Sequence, residues 1–177
     1  MRNTKLGAST EVANQDNFAD TGYIASQKHD QTAGNHKTWL KDGTLQTDST
    51  IFRTASPSMR MTPRPGSQCE SAYQFNGIQV PVANGQTVTI NVWMRKSTAG
   101  DGEEFSEGDQ SPQLIVKANP AVGITADAVL DTMTVGSGTW EQLTGTTAAV
   151  TDDGVLEFVV DADADAGWVN VDDWSTT

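Results

Sequence analysis

The ten residues Gln86-Thr-Val-Thr-Ile-Asn-Val-Trp-Met-Arg95 constrain the fold more than any other stretch of the chain. Val88, Ile90, Val92 and Met94 alternate with Thr87, Thr89, Asn91, Trp93 and Arg95. Period two sends the first set to one side of an extended backbone and the second to the other. The run predicts a strand with one face in a core and one largely polar face. Before it stands Val80-Pro-Val-Ala-Asn-Gly85, in which Asn84 and Gly85 suit the positive φ of a turn.

Shorter runs of the same kind recur, separated by Gly, Pro, Asn and Asp. They predict strands at Ser58–Thr62, Ala72–Val80, Gln113–Ala118, Trp140–Thr144, Val155–Val160 and Trp168–Trp174. Asp161–Gly167 reads as a hairpin joining the last two. Thr125–Met133 is the one stretch that reads as a short helix. Residues 97–111 read as a mobile, exposed, acidic loop, and residues 119–127 as another loop. Many short strands punctuated by turns predict an all-β fold, a β-sandwich.

The first part of the chain differs. Residues 1–45 are rich in Asn, Gln, Thr, Ser, Asp and Gly, and Leu6, Val12, Phe18, Tyr23 and Ile24 follow no sustained period. So little apolar surface does not offset the entropy of ordering. The expectation is an extended N-terminal arm over 1–45 that orders against a partner through those five residues, or across its own domain, with a disordered tail as the alternative, and a sandwich domain over 46–177. Charge divides similarly. Residues 1–60 hold seven basic and six acidic groups, and residues 61–177 hold four and seventeen.

The same inventory excludes several functions. A net charge of −12 repels phosphate and argues against a nucleic-acid partner. One cysteine, Cys69, forms no intramolecular disulfide and reads as a buried thiol. His29 and His36 are too few for a zinc enzyme or a Ser-His-Asp triad. No Gly-x-Ser-x-Gly, Walker or His-Glu-x-x-His motif occurs, so no catalytic residue is assigned and the chain reads as non-enzymatic. No apolar run approaches the roughly 20 residues of a membrane span, and the N-terminus shows no apolar signal core.

Two features read as sites. Asp161, Asp163, Asp165 and Asp172 fall at positions one, three, five and twelve of an oxygen-ligand spacing that suits calcium. The match is imperfect: Gly167 stands seventh where such a loop has glycine sixth, and the twelfth ligand is Asp rather than Glu. The alternative is a solvated acidic tip, with no cofactor at all. Trp93 lies on the polar face of its strand, where a ring stacks on a sugar or packs in an interface. Packing between the sheets is the other reading of that ring.

Four segments, in order, resemble carbohydrate-binding modules of the galactose-binding jelly-roll type. They are Ala55-Ser-Pro-Ser-Met-Arg-Met-Thr-Pro63, Ile78–Arg95, Trp140-Glu-Gln-Leu-Thr144 and Trp168-Val-Asn-Val-Asp-Asp-Trp-Ser175, and the resemblance spans residues 52–175. It implies a structural calcium near Asp172 and Asp173. The family's other calcium ligands come from an N-terminal element that Asn14–Asp20 matches poorly. Pro112–Asn119 and Gly138–Thr147 are also similar to structural proteins of marine tailed bacteriophages. With no leader and no catalytic domain in view, this resemblance implies a virion structural protein on the outer capsid surface, made in the host cytoplasm. Specifically, it implies a capsid decoration (cement) protein that docks on the major capsid protein and on copies of itself as a homotrimer. The alternative is a carbohydrate-binding module or adhesin that recognises host-surface glycans.

Overall fold

The computed structural model describes residues 43–54, 56–63, 73–108, 111–162 and 164–177. The arm residues Leu6, Val12, Phe18, Tyr23 and Ile24, together with His29, His36, Cys69 and Asp163, lie outside the described residues.

The strands are β1 (Gly43–Asp48), β2 (Ser58–Pro63), β3 (Tyr73–Val82), β4 (Thr89–Lys96), β5 (Ser106–Glu107), β6 (Gln113–Val116), β7 (Ala128–Thr132), β8 (Trp140–Thr146), β9 (Gly154–Ala162), β10 (Ala164–Ala166) and β11 (Val169–Thr176). Five of them form one sheet in the order β1-β2-β11-β4-β8, and four form a second in the order β3-β9-β6-β7. β5 and β10 make a short separate ribbon. Every pairing is antiparallel. The result is a jelly-roll sandwich, and no α-helix occurs among the described residues. The first strand, Gly43–Asp48, straddles the expected junction at 45/46.

Alternation in β4 decides which side faces in. Ile90, Val92 and Met94 are fully buried, and the residues between them are half-buried on the other side. Register carries that division to the neighbouring strands. Met59 and Met94 flank Val171, while Arg60 and Arg95 flank Asn170 on the opposite face. From the second sheet Leu114, Leu156, Phe158 and Val160 close the core. Each such side chain contributes roughly 1.5–3 kcal/mol on burial.

β11 carries a bulge. Asp172 pairs with Trp93 and Ser175 with Asn91, so one residue is extra. Asp173 absorbs it at φ 49°, a left-handed conformation that Asp tolerates better than most residues. The bulge returns Trp174 to the core, where it is fully buried. Its Nε1 has no hydrogen-bond partner among the described residues. An orphan donor costs about 1–3 kcal/mol, whereas burying an indole gains roughly 4–6 kcal/mol, so packing wins.

Three local expectations are corrected. Residues Ala128–Thr132 form a strand rather than a helix, because β6 has an edge left open by β9 that this segment completes. Asp161–Gly167 is not a hairpin. β9 and β11 lie in different sheets, and the segment between them crosses over and pairs with β5. Residues 97–108 are not a free loop. Phe105 is buried, its N–H donates to Ser97 O at 3.1 Å, and Lys96 pairs with Glu107. A single aromatic in an otherwise acidic stretch is enough to anchor it. The bond from Lys96, helped by Ser111 against a smaller effect of burial, holds the Glu107 carboxyl below the usual range.

Candidate functional site

The outer face of the five-stranded sheet gathers most of the chain's distinctive side chains. Trp93, Arg95, Arg60 and Asn170 reach it by alternation from β4, β2 and β11, and Trp168 stands just before β11. Three of the five arginines in the sequence, Arg53, Arg60 and Arg95, meet there in an otherwise acidic molecule.

The loop between β1 and β2 folds back over this face. Asp48 Oδ1 starts the turn by accepting the N–H groups of Thr50 at 2.9 Å and Ile51 at 3.0 Å. Ser58 Oγ donates to Ile51 O. Arg53 then donates its backbone N–H to Asp172 Oδ2 at 2.9 Å and its guanidinium to Asp173 Oδ2. That guanidinium lies 3.7 Å above the centre of Trp93. Trp93 is therefore on the outer face, as its strand position predicts, but one side of its ring is already covered.

A second stack stands across the sheet. The Arg60 guanidinium lies 3.4 Å above the Trp168 ring. Trp168 Nε1 donates to Asn170 Oδ1 at 3.1 Å, and Asn170 Nδ2 donates to Asp48 Oδ2 at 3.0 Å and Ser58 Oγ at 3.1 Å. Asn170 is fully buried with both its amide nitrogen and its carbonyl engaged, so it fixes the indole rather than reaching solvent. Arg95 is engaged as well, donating to Gly138 O at 3.2 Å and Asp101 Oδ2 at 2.8 Å. Burial pushes the Asp101 carboxyl up, but its bonds from Arg95 and Thr98 outweigh that and hold it below the usual range. Half-buried Trp140 lies opposite Arg95, and exposed Gln142 lies opposite Trp93.

Of the carboxylates expected to bind calcium, Asp161 and Asp165 do not come together with Asp172 and Asp173 among the described residues. Asp161 sits between the core residues Val160 and Ala162, so it turns to the outer side of the four-stranded sheet. Asp165 is exposed on β10. Asp172 faces the outer side of the other sheet, with Asp173 beside it in the bulge. Both Asp172 oxygens accept backbone N–H groups, from Arg53 and Asp173, and Asp173 Oδ2 accepts from Arg53 and Thr54. Arg53 already supplies the cation at this place, and these donors do not suit calcium. Among the described residues, no group of three or more His, Cys, Asp or Glu side chains is placed to hold a metal ion. Burial pushes the Asp172 carboxyl up to about 6, against the two N–H donors and with the charge of Asp173 adding to the rise.

Arg53, Arg60, Trp168 and Asn170 were not singled out from the sequence. The signal was present for three of them: Met59 and Met61 flank Arg60, and Val169 and Val171 flank Asn170, with Trp168 on the same parity. Arg53 comes from a loop, and nothing in its local sequence marks it.

No protein-family model matches the chain, and no curated relative matches it. Solved structures do. The CBM22-2 xylan-binding domain from Paenibacillus barcinonensis Xyn10C is 18% identical with a TM-score of 0.51, over 82% of this chain and 94% of that one. The CBM22-1–GH10 modules of the Clostridium thermocellum endo-1,4-beta-D-xylanase 10B, complexed with xylohexaose, are 16% identical with a TM-score of 0.50, over 77% of this chain. This chain spans only 24% of that longer protein. The enzymatically active domain of bacteriophage CBA120 tailspike protein 4 is 9% identical with a TM-score of 0.52, over 76% of this chain and 17% of that one. The likeness is one of fold: a jelly roll of the carbohydrate-binding-module kind.

Proposed function

We propose that the sandwich is a non-catalytic glycan-binding domain whose ligand lies along the outer face of the five-stranded sheet. The observation that carries this reading is half-buried Trp140 and exposed Gln142 beside the partly covered ring of Trp93, with Arg60 on the same face over the buried Trp168. Sugars are recognised by ring surfaces that stack on their C–H faces and by donors that meet their hydroxyls. The shared fold with xylan-binding modules supports it. Four carboxylates on this face, Asp48, Asp101, Asp172 and Asp173, are tied to internal donors, which suits binding better than acid–base work.

Affinity electrophoresis of the full chain through a panel of soluble polysaccharides tests it. Retardation by at least one of them, reduced in Trp140→Ala or Trp93→Ala, is the expected result. Unretarded migration through the whole panel rejects the reading.

A second reading rests on the fold shared with the tailspike domain: a module on the outer surface of a virion. There residues 1–45 would dock on the major capsid protein through Leu6, Val12, Phe18, Tyr23 and Ile24, with copies of the chain meeting as a trimer. Cosedimentation with expanded capsid shells, lost on deletion of residues 1–45, is the outcome that favours it. Failure to cosediment removes it.

A further inference from the structure

The three arginines of the outer face differ in what remains of their hydrogen-bonding capacity. Arg53 is paired with Asp173 and Arg95 with Asp101. Among the described residues Arg60 makes no salt bridge. Its Nε donates to Thr62 Oγ1 at 3.3 Å, which orients the guanidinium plane over Trp168. Its two terminal nitrogens, carrying four of the five N–H groups, meet no acceptor among the described residues. A guanidinium held flat on an indole, with its fork unoccupied, has the geometry that carboxylates bind in bidentate fashion.

The surroundings sharpen this. Burial lowers the Arg60 pKa, and the nearby carboxylates of Asp48 and Glu103 act in the opposite direction. Neither bonds to it. Asp48 is committed to Thr50, Ile51 and Asn170. Glu103 is exposed on the loop that passes Trp168. The guanidinium is thus partly desolvated, fixed in orientation by Thr62 and Trp168, and left without a bonded anion. An arginine in that state gains more from a visiting carboxylate than a mobile surface arginine does.

We propose that Arg60 on Trp168 is a subsite for a carboxylate-bearing sugar, so that the glycan taken by this face is one that contains uronic acid. The inference rests on the glycan-binding reading above and adds the chemical class of ligand. The carboxylate lies in the plane of the Arg60 fork, beyond its terminal nitrogens. Asn170, engaged on both ends of its amide, holds Trp168 in place beneath and is a positioning residue. Glu103 is the competing charge that an incoming uronate must displace or tolerate. The overall charge of −12 repels a polyanion at long range, so selectivity has to come from this local contact.

The test compares one polymer with itself. Glucuronic-acid-substituted xylan and the same preparation after reduction of its carboxyl groups to primary alcohols are titrated into the full chain by calorimetry. The expected result is binding about tenfold tighter to the carboxylated form, the scale of one charge-assisted hydrogen-bonded contact. Arg60→Lys keeps the charge and loses the fork, and is expected to abolish the preference. Glu103→Gln is expected to strengthen it. Equal binding to both polymers overturns the uronate subsite and leaves the glycan-binding reading standing. No binding to either polymer overturns the subsite, and failure across the neutral panel as well overturns both. A preference that survives unchanged in Arg60→Lys places the carboxylate elsewhere and overturns the assignment.

Discussion

The guanidinium of Arg53 lies 3.7 Å above the centre of the Trp93 ring, while the backbone N–H of the same residue bonds to Asp172. One residue thus fastens the β1–β2 loop to the sheet in two ways, through main chain to β11 and through side chain to β4. The stack is half-exposed, so its attraction is only partly screened by water. A double-mutant cycle over Arg53→Ala and Trp93→Ala, read by urea unfolding, is expected to show a coupling of about 0.5–2 kcal/mol. Additivity of the two substitutions would mean that the ring and the guanidinium merely lie side by side.

Asn170 joins three elements with one amide, since it accepts from Trp168 and donates to Asp48 and Ser58. Truncation leaves a buried indole N–H and a carboxylate oxygen without partners. Asn170→Ala is expected to destabilise the domain by about 2–4 kcal/mol in chemical denaturation. It should also release Trp168, visible as loss of its near-ultraviolet circular dichroism. A variant as stable as the parent would show that water replaces the amide at no penalty.

Asp172 predicts a pH dependence with an unusual sign. Its carboxyl is raised from 3.8 to about 6, chiefly by burial. Between those values the folded state holds a proton that the unfolded state has lost. Stability from this residue therefore falls as pH rises from about 4 to about 6, and returns on acidification. Glu107 and Asp101, held below their usual values, act the other way and lose their contribution only at lower pH. The difference in unfolding free energy between wild type and Asp172→Asn is expected to decline as pH rises through that window. A carbon-13 titration of the Asp172 carboxyl should place its midpoint near 6. A midpoint near 4 would contradict the burial described here.

How far the sequence reveals these features depends on the range of the interaction. Alternation is local, so the strands at Ser58, Gln113, Trp140, Val155 and Trp168 could be read directly, as could the inward set Val88, Ile90, Val92 and Met94. Sheet membership is not local. Nothing in Val155–Trp174 says that β9 and β11 join different sheets, which is why the segment between them reads as a hairpin. The outer-face site depends on pairings across the chain, such as Arg53 with Asp173, 120 residues apart. Such contacts leave no periodic trace. The acidic spacing is local too, but it does not reveal that Asp161 and Asp172 belong to strands of different sheets.

Gly167 belongs to that acidic segment, and its reason for being glycine is steric. Its φ is +75°, and a Cβ there would sit 2.6 Å from the Phe105 Cα and 2.6 Å from Ser97 Oγ. The backbone of Phe105 cannot retreat, because its N–H is bonded to Ser97 O and its ring is buried. Ser97 Oγ in turn accepts the Trp168 N–H at 3.0 Å. An added methyl therefore strains the left-handed turn and presses on the loop that leads to Trp168 and the Arg60 stack. Gly167→Ala is expected to cost about 2–4 kcal/mol, read as a fall in Tm by differential scanning calorimetry. The milder Gly85→Ala, which also has positive φ but meets nothing within 4 Å, should cost only about 1 kcal/mol. Equal losses at the two positions would show that backbone conformation alone, and not the close passage of Phe105, selects glycine at 167.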